Sequence, residues 1–359
     1  MVEWFTVGPM RRPISLTAVL GTTLVSLTLG VAPALAAGSA STSTTPTSTT
    51  PTPTTTTPST TSTPAVDAHA HLYLSGAFRV SGSEVTVTGR AVQVRGFVRP
   101  FVAGQWVLVK SYVGKRLLRT EKLRVKPDAH GRLGAFTAIV RSPTAGILHV
   151  QVTHARTTAM LGFFAERGFS VIGQSVNVGA TGTLVKLVQQ RLSALHFYIP
   201  QTGVFDQGTQ LALDAYHRLL GWGEGNQSLD STTINDLLDG KGTFVVRFGH
   251  QGRHAEGDLT HQVLALIDGS QVQTIYPISS GKPSTPTILG SYRVYYRVPG
   301  YLPDGMYYSD FFISGYAIHG YDPAPTYPAS HGCMRMPIVD AISAFNWLAI
   351  GDWVDTYYR

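Results

Sequence analysis

The sequence predicts a multidomain, mainly β protein, on three observations. Short runs alternating apolar and polar residues fill 68–172 and recur in 243–359. Helical spacing is confined to 176–240 and to one stretch near the C-terminus. Turn-forming residues punctuate the β-rich regions, as in Asp128-Ala129-His130-Gly131 and Asp268-Gly269. With 359 residues, 43% of them hydrophobic, the chain can build several cores, which excludes wholesale disorder.

Residues 1–36 read as a signal peptide. Arg11 and Arg12 supply a positive region, Ile14 to Val31 an apolar stretch, and Ala34-Leu35-Ala36 the small residues a signal peptidase requires after Pro33. Cleavage after Ala36 would release a secreted, extracytoplasmic protein; only an uncleaved signal would leave it on a membrane. Residues 37–67 form a linker made almost wholly of Ser, Thr and Pro, which buries too little apolar surface to fold and is stiffened by its prolines. The formal charge of +7 comes without a basic run or an RNA-binding signature, so nucleic acid is not expected as a partner.

The 68–172 segment carries Val85-Thr86-Val87-Thr88, Val92-Gln93-Val94, Trp106-Val107-Leu108-Val109 and Leu148-His149-Val150-Gln151-Val152. Strands at this spacing predict a small antiparallel, immunoglobulin-like sandwich that serves as a spacer or binding module.

Within 176–240, Leu184, Leu187, Val188, Leu192 and Leu195 share one helical face, as do Leu211, Ala215, Leu219 and Leu220 in a second stretch. A turn ending at Asp206 starts the second helix, and 232–238 gives a third. A three-helix unit follows. Its run Val185 to Leu192, then Gly203-Val204-Phe205-Asp206 and Thr209-x-x-Ala212, resembles the small helical peptidoglycan-binding domain found beside many wall hydrolases. A helical unit that only supports its neighbours is the alternative.

The 243–359 segment offers strands at 244–248, 263–267, 272–276 and 292–296, with Asp268-Gly269 as a hairpin turn. Ile338, Ala341, Ile342, Phe345, Leu348 and Ala349 predict one face of a helix, and 353–357 a closing strand. Just before that helix stands Ser330-His331-Gly332-Cys333-Met334-Arg335-Met336-Pro337, which holds the chain's only cysteine. One cysteine makes no internal disulfide, so Cys333 is either an inert buried thiol or kept for its chemistry. A reactive thiol needs a low pKa and a nearby base. His331 adjoins it, His319 stands upstream in Ala317-Ile318-His319-Gly320, and the following helix is expected to favour thiolate through its N-terminus. Zinc on His319, His331 and Cys333 is the competing arrangement, but no fourth ligand stands at a familiar spacing.

Together, Tyr316-Ala317-Ile318-His319-Gly320 and Ser330-His331-Gly332-Cys333-Met334-Arg335-Met336 resemble the L,D-transpeptidase catalytic domain of the YkuD family, supported by Ser279-Ser280-Gly281-Lys282 and Gly290-Ser291-Tyr292-Arg293-Val294. Thr287-Ile288-Leu289-Gly290 departs from the family, which often has a second proline there. The resemblance implies a β-sandwich with its site in a groove beneath a flap, working without metal or organic cofactor. It implies that Cys333 attacks the third stem residue of a peptidoglycan tetrapeptide, that D-alanine leaves, and that an acceptor stem closes a 3→3 cross-link. His319 would be the base, with His331 and Ser330 shaping the site. Backbone amides around Gly332 and Cys333 would hold the oxyanion; Arg335 would order the loop or meet a carboxylate, and Gly320 belongs to the same motif. Met306 and Tyr308 are expected to line the groove, although an ordinary core explains them as well. Peptidoglycan stems as donor and acceptor, and carbapenems as inhibitors, are the implied partners. Two alternatives stand beside it: an L,D-carboxypeptidase using water as acceptor, and a non-catalytic wall-binding protein.

Overall fold

The computed structural model describes residues 64–223 and 225–359, so the expected signal peptide and most of the expected linker lie outside the described residues. The architecture is mainly β. Ten strands come first: β1 (His69–Ser75), β2 (Phe78–Val80), β3 (Ser83–Val87), β4 (Val92–Arg99), β5 (Trp106–Val113), β6 (Arg116–Arg124), β7 (Lys126–Pro127), β8 (Gly134–Val140), β9 (Gly146–His154) and β10 (Phe163–Ile172). They form a four-stranded sheet ordered β1-β4-β8-β7 and a six-stranded sheet ordered β2-β3-β10-β9-β5-β6. Alternation puts Val92, Val94 and Val98 of β4 inward against Leu148, Val150 and Val152 of β9. One pairing departs from the antiparallel expectation. Ser170–Ile172 run parallel to Val85–Val87, because the β2–β3 hairpin covers the edge that β10 would otherwise expose.

Three helices follow: α1 (Thr183–Ala194), α2 (Gln207–Leu219) and α3 (Ser231–Asp239). Asp206 caps α2 by accepting the Thr209 N–H at 2.9 Å, and Asp230 caps α3 through the Thr233 N–H at 2.7 Å. Left-handed Gly240 ends α3.

The C-terminal region contains β11 (Arg253–Asp258), β12 (Val263–Asp268), β13 (Gln271–Pro277), β14 (Gly290–Arg293), β15 (Tyr296–Tyr301), β16 (Tyr307–Ile313), β17 (Tyr316–Gly320), β18 (Met334–Met336), α4 (Ile338–Trp347) and β19 (Trp353–Tyr357). Two sheets result, ordered β13-β12-β11-β19-β14 and β15-β16-β17-β18.

Three local expectations are corrected. The run 244–248 makes no ladder; instead the buried Glu256 carboxylate takes the Arg247 N–H (2.9 Å) and the Phe248 N–H (2.8 Å). The expected strand 292–296 is divided between β14 and β15, in different sheets. Helix α4 is rotated from its apolar face: Ala341, Ala344 and the carboxylic Asp340 are buried, whereas Ile342 is exposed. Close packing selects the small residues, since a Cβ on Gly320 of β17 would lie 2.7 Å from the Ala341 Cβ.

The helices do not stand apart from the last domain. Val263, Ala265 and Ile267 of β12, with Ile275 of β13, share one core cluster with Leu187, Leu192, Leu213 and Ile234 of the helices. The other face of the same sheet, with Leu264, Leu266 and Tyr276, packs toward Ile318, Met334 and α4. The sheet is therefore buried on both faces, which explains why β12 reads as a continuous apolar run.

Candidate active site

The site is set by a two-strand register. β17 pairs with β18 in parallel, with Ile318 opposite Met334, His319 opposite Arg335 and Gly320 opposite Met336. Opposed residues share a face, so Ile318 and Met334 enter the core beneath α4, while His319 and Arg335 point to the other side. Cys333 stands in the bend immediately before β18, two positions before Arg335, where its Sγ donates to the Gly315 carbonyl at 3.6 Å and meets the Ala317 N–H of β17. The charges of Arg335 and Asp304 act on both Cys333 and His319, so the two side chains share one neighbourhood.

Burial controls the electrostatics of this pair. It is the largest influence on His319 and holds its pKa down to about 4; the charge of Arg335 acts the same way, and a hydrogen bond to the Gly320 carbonyl opposes. That bond, 2.9 Å from Nδ1, fixes the tautomer, because a carbonyl only accepts. Nδ1 carries the proton and Nε2 keeps a lone pair. Burial also pushes the Cys333 thiol up, against the Ala317 N–H and Arg335, both of which favour thiolate. The resting pair is thus neutral thiol and neutral imidazole. The expected contribution of a helix N-terminus is corrected here: β18 intervenes, and α4 begins only at Ile338.

Ser330 fastens the loop before β18. Its Oγ donates to the Cys333 carbonyl at 2.6 Å and accepts the Gly332 N–H at 3.0 Å. The Gly332 amide is therefore engaged within the loop, which leaves the Cys333 amide as the nearer choice for an oxyanion. Gly332 has φ of 118°, and a Cβ there would fall 2.0 Å from Cε1 of Tyr316. From the opposite side, Ser330 N–H donates to the Ser280 carbonyl at 3.0 Å, and Ser279 and Arg335 exchange two backbone bonds of 2.8 and 3.0 Å. The Ser279–Lys282 segment is thus the second wall of the loop.

The remaining predicted residues separate. His331 is exposed, and its Nε2 accepts from Lys282 Nζ at 3.2 Å. Arg335 lies over the Tyr321 ring at 4.0 Å, and the same ring meets His319 edge-on at 5.8 Å. Met306 sits at the tip of the β15–β16 hairpin, beside Asp304, whose charge acts on both Cys333 and His319. Tyr308 turns to the helix side, edge-on to Phe345 of α4 at 5.0 Å. Phe311 instead stands opposite Ala317, whose N–H meets Cys333. No residue pattern marks the Ala317 N–H, since a backbone donor has no side-chain signature. Tyr321, two residues beyond His319, carries a period-2 signal that could have found it. Among the described residues, no three His, Cys, Asp or Glu side chains converge on a point that could hold a metal ion.

Residues 252–355 match the family profile described as the L,D-transpeptidase catalytic domain, YkuD. An L,D-transpeptidase from Xylanimonas cellulosilytica (residues 123–326) is 30% identical, over 51% of this chain and 98% of that one, at a TM-score of 0.46. The chain belongs to the YkuD L,D-transpeptidase family. The catalytic domain of the E. faecium L,D-transpeptidase acylated by ertapenem is 25% identical, over 30% of this chain and 98% of that one, with a TM-score of 0.26. An L,D-transpeptidase from Mycobacterium tuberculosis is 20% identical, over 30% of this chain and 57% of that one, with a TM-score of 0.28. No curated protein matches the chain. The transpeptidase domain thus contains both motifs described above, with Cys333 and His319 inside the matched range.

Proposed function

We propose that this protein is an exported cysteine transpeptidase that cross-links peptidoglycan stems 3→3, with Cys333 as nucleophile and His319 as base. The observation that carries the reading is the tautomer of His319. Its Nδ1–H is committed to Gly320, so Nε2 is free to accept a proton in the neighbourhood it shares with Cys333. Because burial raises the thiol and lowers the imidazole, proton transfer accompanies attack rather than preceding it.

In the acylation step, the Cys333 Sγ forms a bond to the carbonyl carbon of the third stem residue, and its proton passes to His319 Nε2. The carbonyl electrons collect on oxygen, held by the Cys333 amide. Collapse breaks the C–N bond, and the proton on His319 goes to the departing D-alanine amine. The low pKa of His319 makes its protonated form a strong enough acid for that transfer. In the second step an acceptor side-chain amine gives its proton to Nε2, attacks the thioester and expels Sγ, which takes that proton from Nε2 and restores the thiol. Arg335, positive and stacked on Tyr321, suits a substrate carboxylate at this face.

Export, a location in the wall and the Ser/Thr/Pro linker as a spacer belong to the same proposal, as does acylation of Cys333 by carbapenems through the same carbonyl attack. The test is mass spectrometry of purified protein with a disaccharide-tetrapeptide. Cross-linked dimer with released D-alanine is expected. A shortened stem without dimer would make the protein a carboxypeptidase, and untouched substrate would make it a wall-binding protein.

A further inference from the structure

The helical unit, expected from sequence to bind the wall, reaches the nucleophile loop by a continuous line of buried hydrogen bonds. Arg218, in the last turn of α2, is only 4% exposed. It pairs with Asp214 one turn back at 2.5 Å, while its Nη1 donates to the carbonyls of Gln262 (2.8 Å) and Ile278 (2.9 Å). Both carbonyls belong to the transpeptidase domain. Gln262 then grips Ser280 twice, its Oε1 taking the Ser280 N–H and its Nε2 donating to Ser280 Oγ, each at 2.8 Å. The Ser280 carbonyl accepts the Ser330 N–H at 3.0 Å, and Ser330 Oγ fastens Gly332 and Cys333. Gln262, Ser280 and Ser330 are each at most 1% exposed, so water offers no substitute partner along the line. Gln262 also stands at φ of 52°, a left-handed backbone that a non-glycine residue keeps only where its surroundings fix it.

We propose that Arg218 is a positioning residue for the transpeptidase site: from the helical unit it locks Gln262 and the 278–280 segment, and through Ser280 and Ser330 it sets where Cys333 stands. This rests on Cys333 being the nucleophile. The helical unit then acts as part of the enzyme's frame, whether or not it also touches the wall. A planar guanidinium suits the task because one fork serves a carboxylate and two carbonyls together. Lysine keeps the charge opposite buried Asp214 but cannot reproduce the fork.

The experiment uses the full chain with Arg218→Lys, and measures kcat, KM and the pH midpoint for alkylation of Cys333 by iodoacetamide, with a thermal unfolding curve on the same sample. A loosened loop misplaces the thiol and lets water reach it. The expected result is a fall in kcat of about ten-fold or more with KM within about two-fold. The alkylation midpoint should move down toward the ordinary thiol range, because burial is what holds it up. A thiol that is more acidic in a slower enzyme is not produced by a merely less stable fold. If Arg218→Lys does not fold, Ser280→Ala, which removes only the Oγ contact with Gln262, takes its place with the same readouts. An unchanged kcat and an unchanged midpoint in a folded variant overturn the proposal. Wild-type protein that releases no D-alanine would instead defeat the transpeptidase reading, while the alkylation midpoint would still report on Arg218.

Discussion

At the scale of single residues, the proposed chemistry depends on two groups held in their neutral forms by burial, and this fixes the pH behaviour. His319 has its folded pKa lowered from 6.5 to about 4, so its contribution to stability is complete above about 6.5 and is lost as pH falls through about 4. Wild-type protein should therefore lose stability across that window more steeply than His319→Gln, as thermal melts at a series of pH values would show. Asp340 has the opposite sign. Burial alone lifts it from 3.8 to about 7, so its contribution is complete below about 3.8 and is lost as pH rises through about 7. Asp340→Asn should stabilise the protein at pH near 8 by on the order of 1–3 kcal/mol and change little near pH 4. Equal gains at both pH values would remove the charge from the explanation. For catalysis, Cys333→Ala should abolish product while leaving the fold intact. His319→Ala should slow carbapenem acylation strongly near neutrality and less as pH rises, because thiolate then forms without a base. Acylation that stays fast and independent of pH without His319 would assign the base elsewhere, with His331 first to be tested.

At the scale of elements, the site depends on two loops meeting at glycines. A Cβ on Gly281 would lie 2.3 Å from the Thr285 carbonyl oxygen and 2.5 Å from the Thr287 nitrogen, both backbone atoms that cannot turn aside. Gly281→Ala should cost at least about 2 kcal/mol and impair acylation. At Gly332 the obstacle is the Tyr316 ring, a side chain, but φ of 118° disfavours any L-residue as well. Truncating Tyr316 should therefore restore part of the stability lost in Gly332→Ala and nothing of that lost in Gly281→Ala. Urea unfolding of the double variants checks this, and equal rescue at both sites would contradict the assignment of each obstacle. The elements themselves were legible to different degrees. Period-2 alternation marks β4 and β9, a continuous apolar run marks β12, and the Asp268-Gly269 turn lies between β12 and β13 as expected. β11 was not found, since Arg253-His254-Ala255-Glu256-Gly257-Asp258 looks like a polar loop. It is a central strand because Glu256 is satisfied by its near neighbour His254, through Nε2 (3.2 Å), and by the Tyr357 hydroxyl (2.7 Å), 101 residues away in the chain.

At the scale of the whole molecule, the five-stranded sheet of the transpeptidase domain needs cover on both faces, and the helices supply one of them. The β-sandwich is tied to the same helices through Arg90, which meets Asp239 of α3 at 2.8 Å. Residues 243–359 expressed alone should therefore be insoluble or lack a cooperative transition, whereas 176–359 should fold. Circular dichroism and thermal melts of the two fragments decide it; a cooperative melt of 243–359 at the full-length midpoint would show that the helices are dispensable to the fold.

By itself the sequence determined the class of fold, the β–α–β order of its parts, and the two motifs that mark the family. Those are carried by local periodicity, turn chemistry and a few reactive side chains, all of which are written in neighbouring residues. Only the tertiary structure decided that His319 and Cys333 share one neighbourhood, that Gly332's amide is engaged, that Tyr308 faces α4, and that Arg218 reaches the loop. Register between strands, and the burial that moves a thiol up and an imidazole down, arise from contacts between segments far apart in the chain, where no local pattern records them.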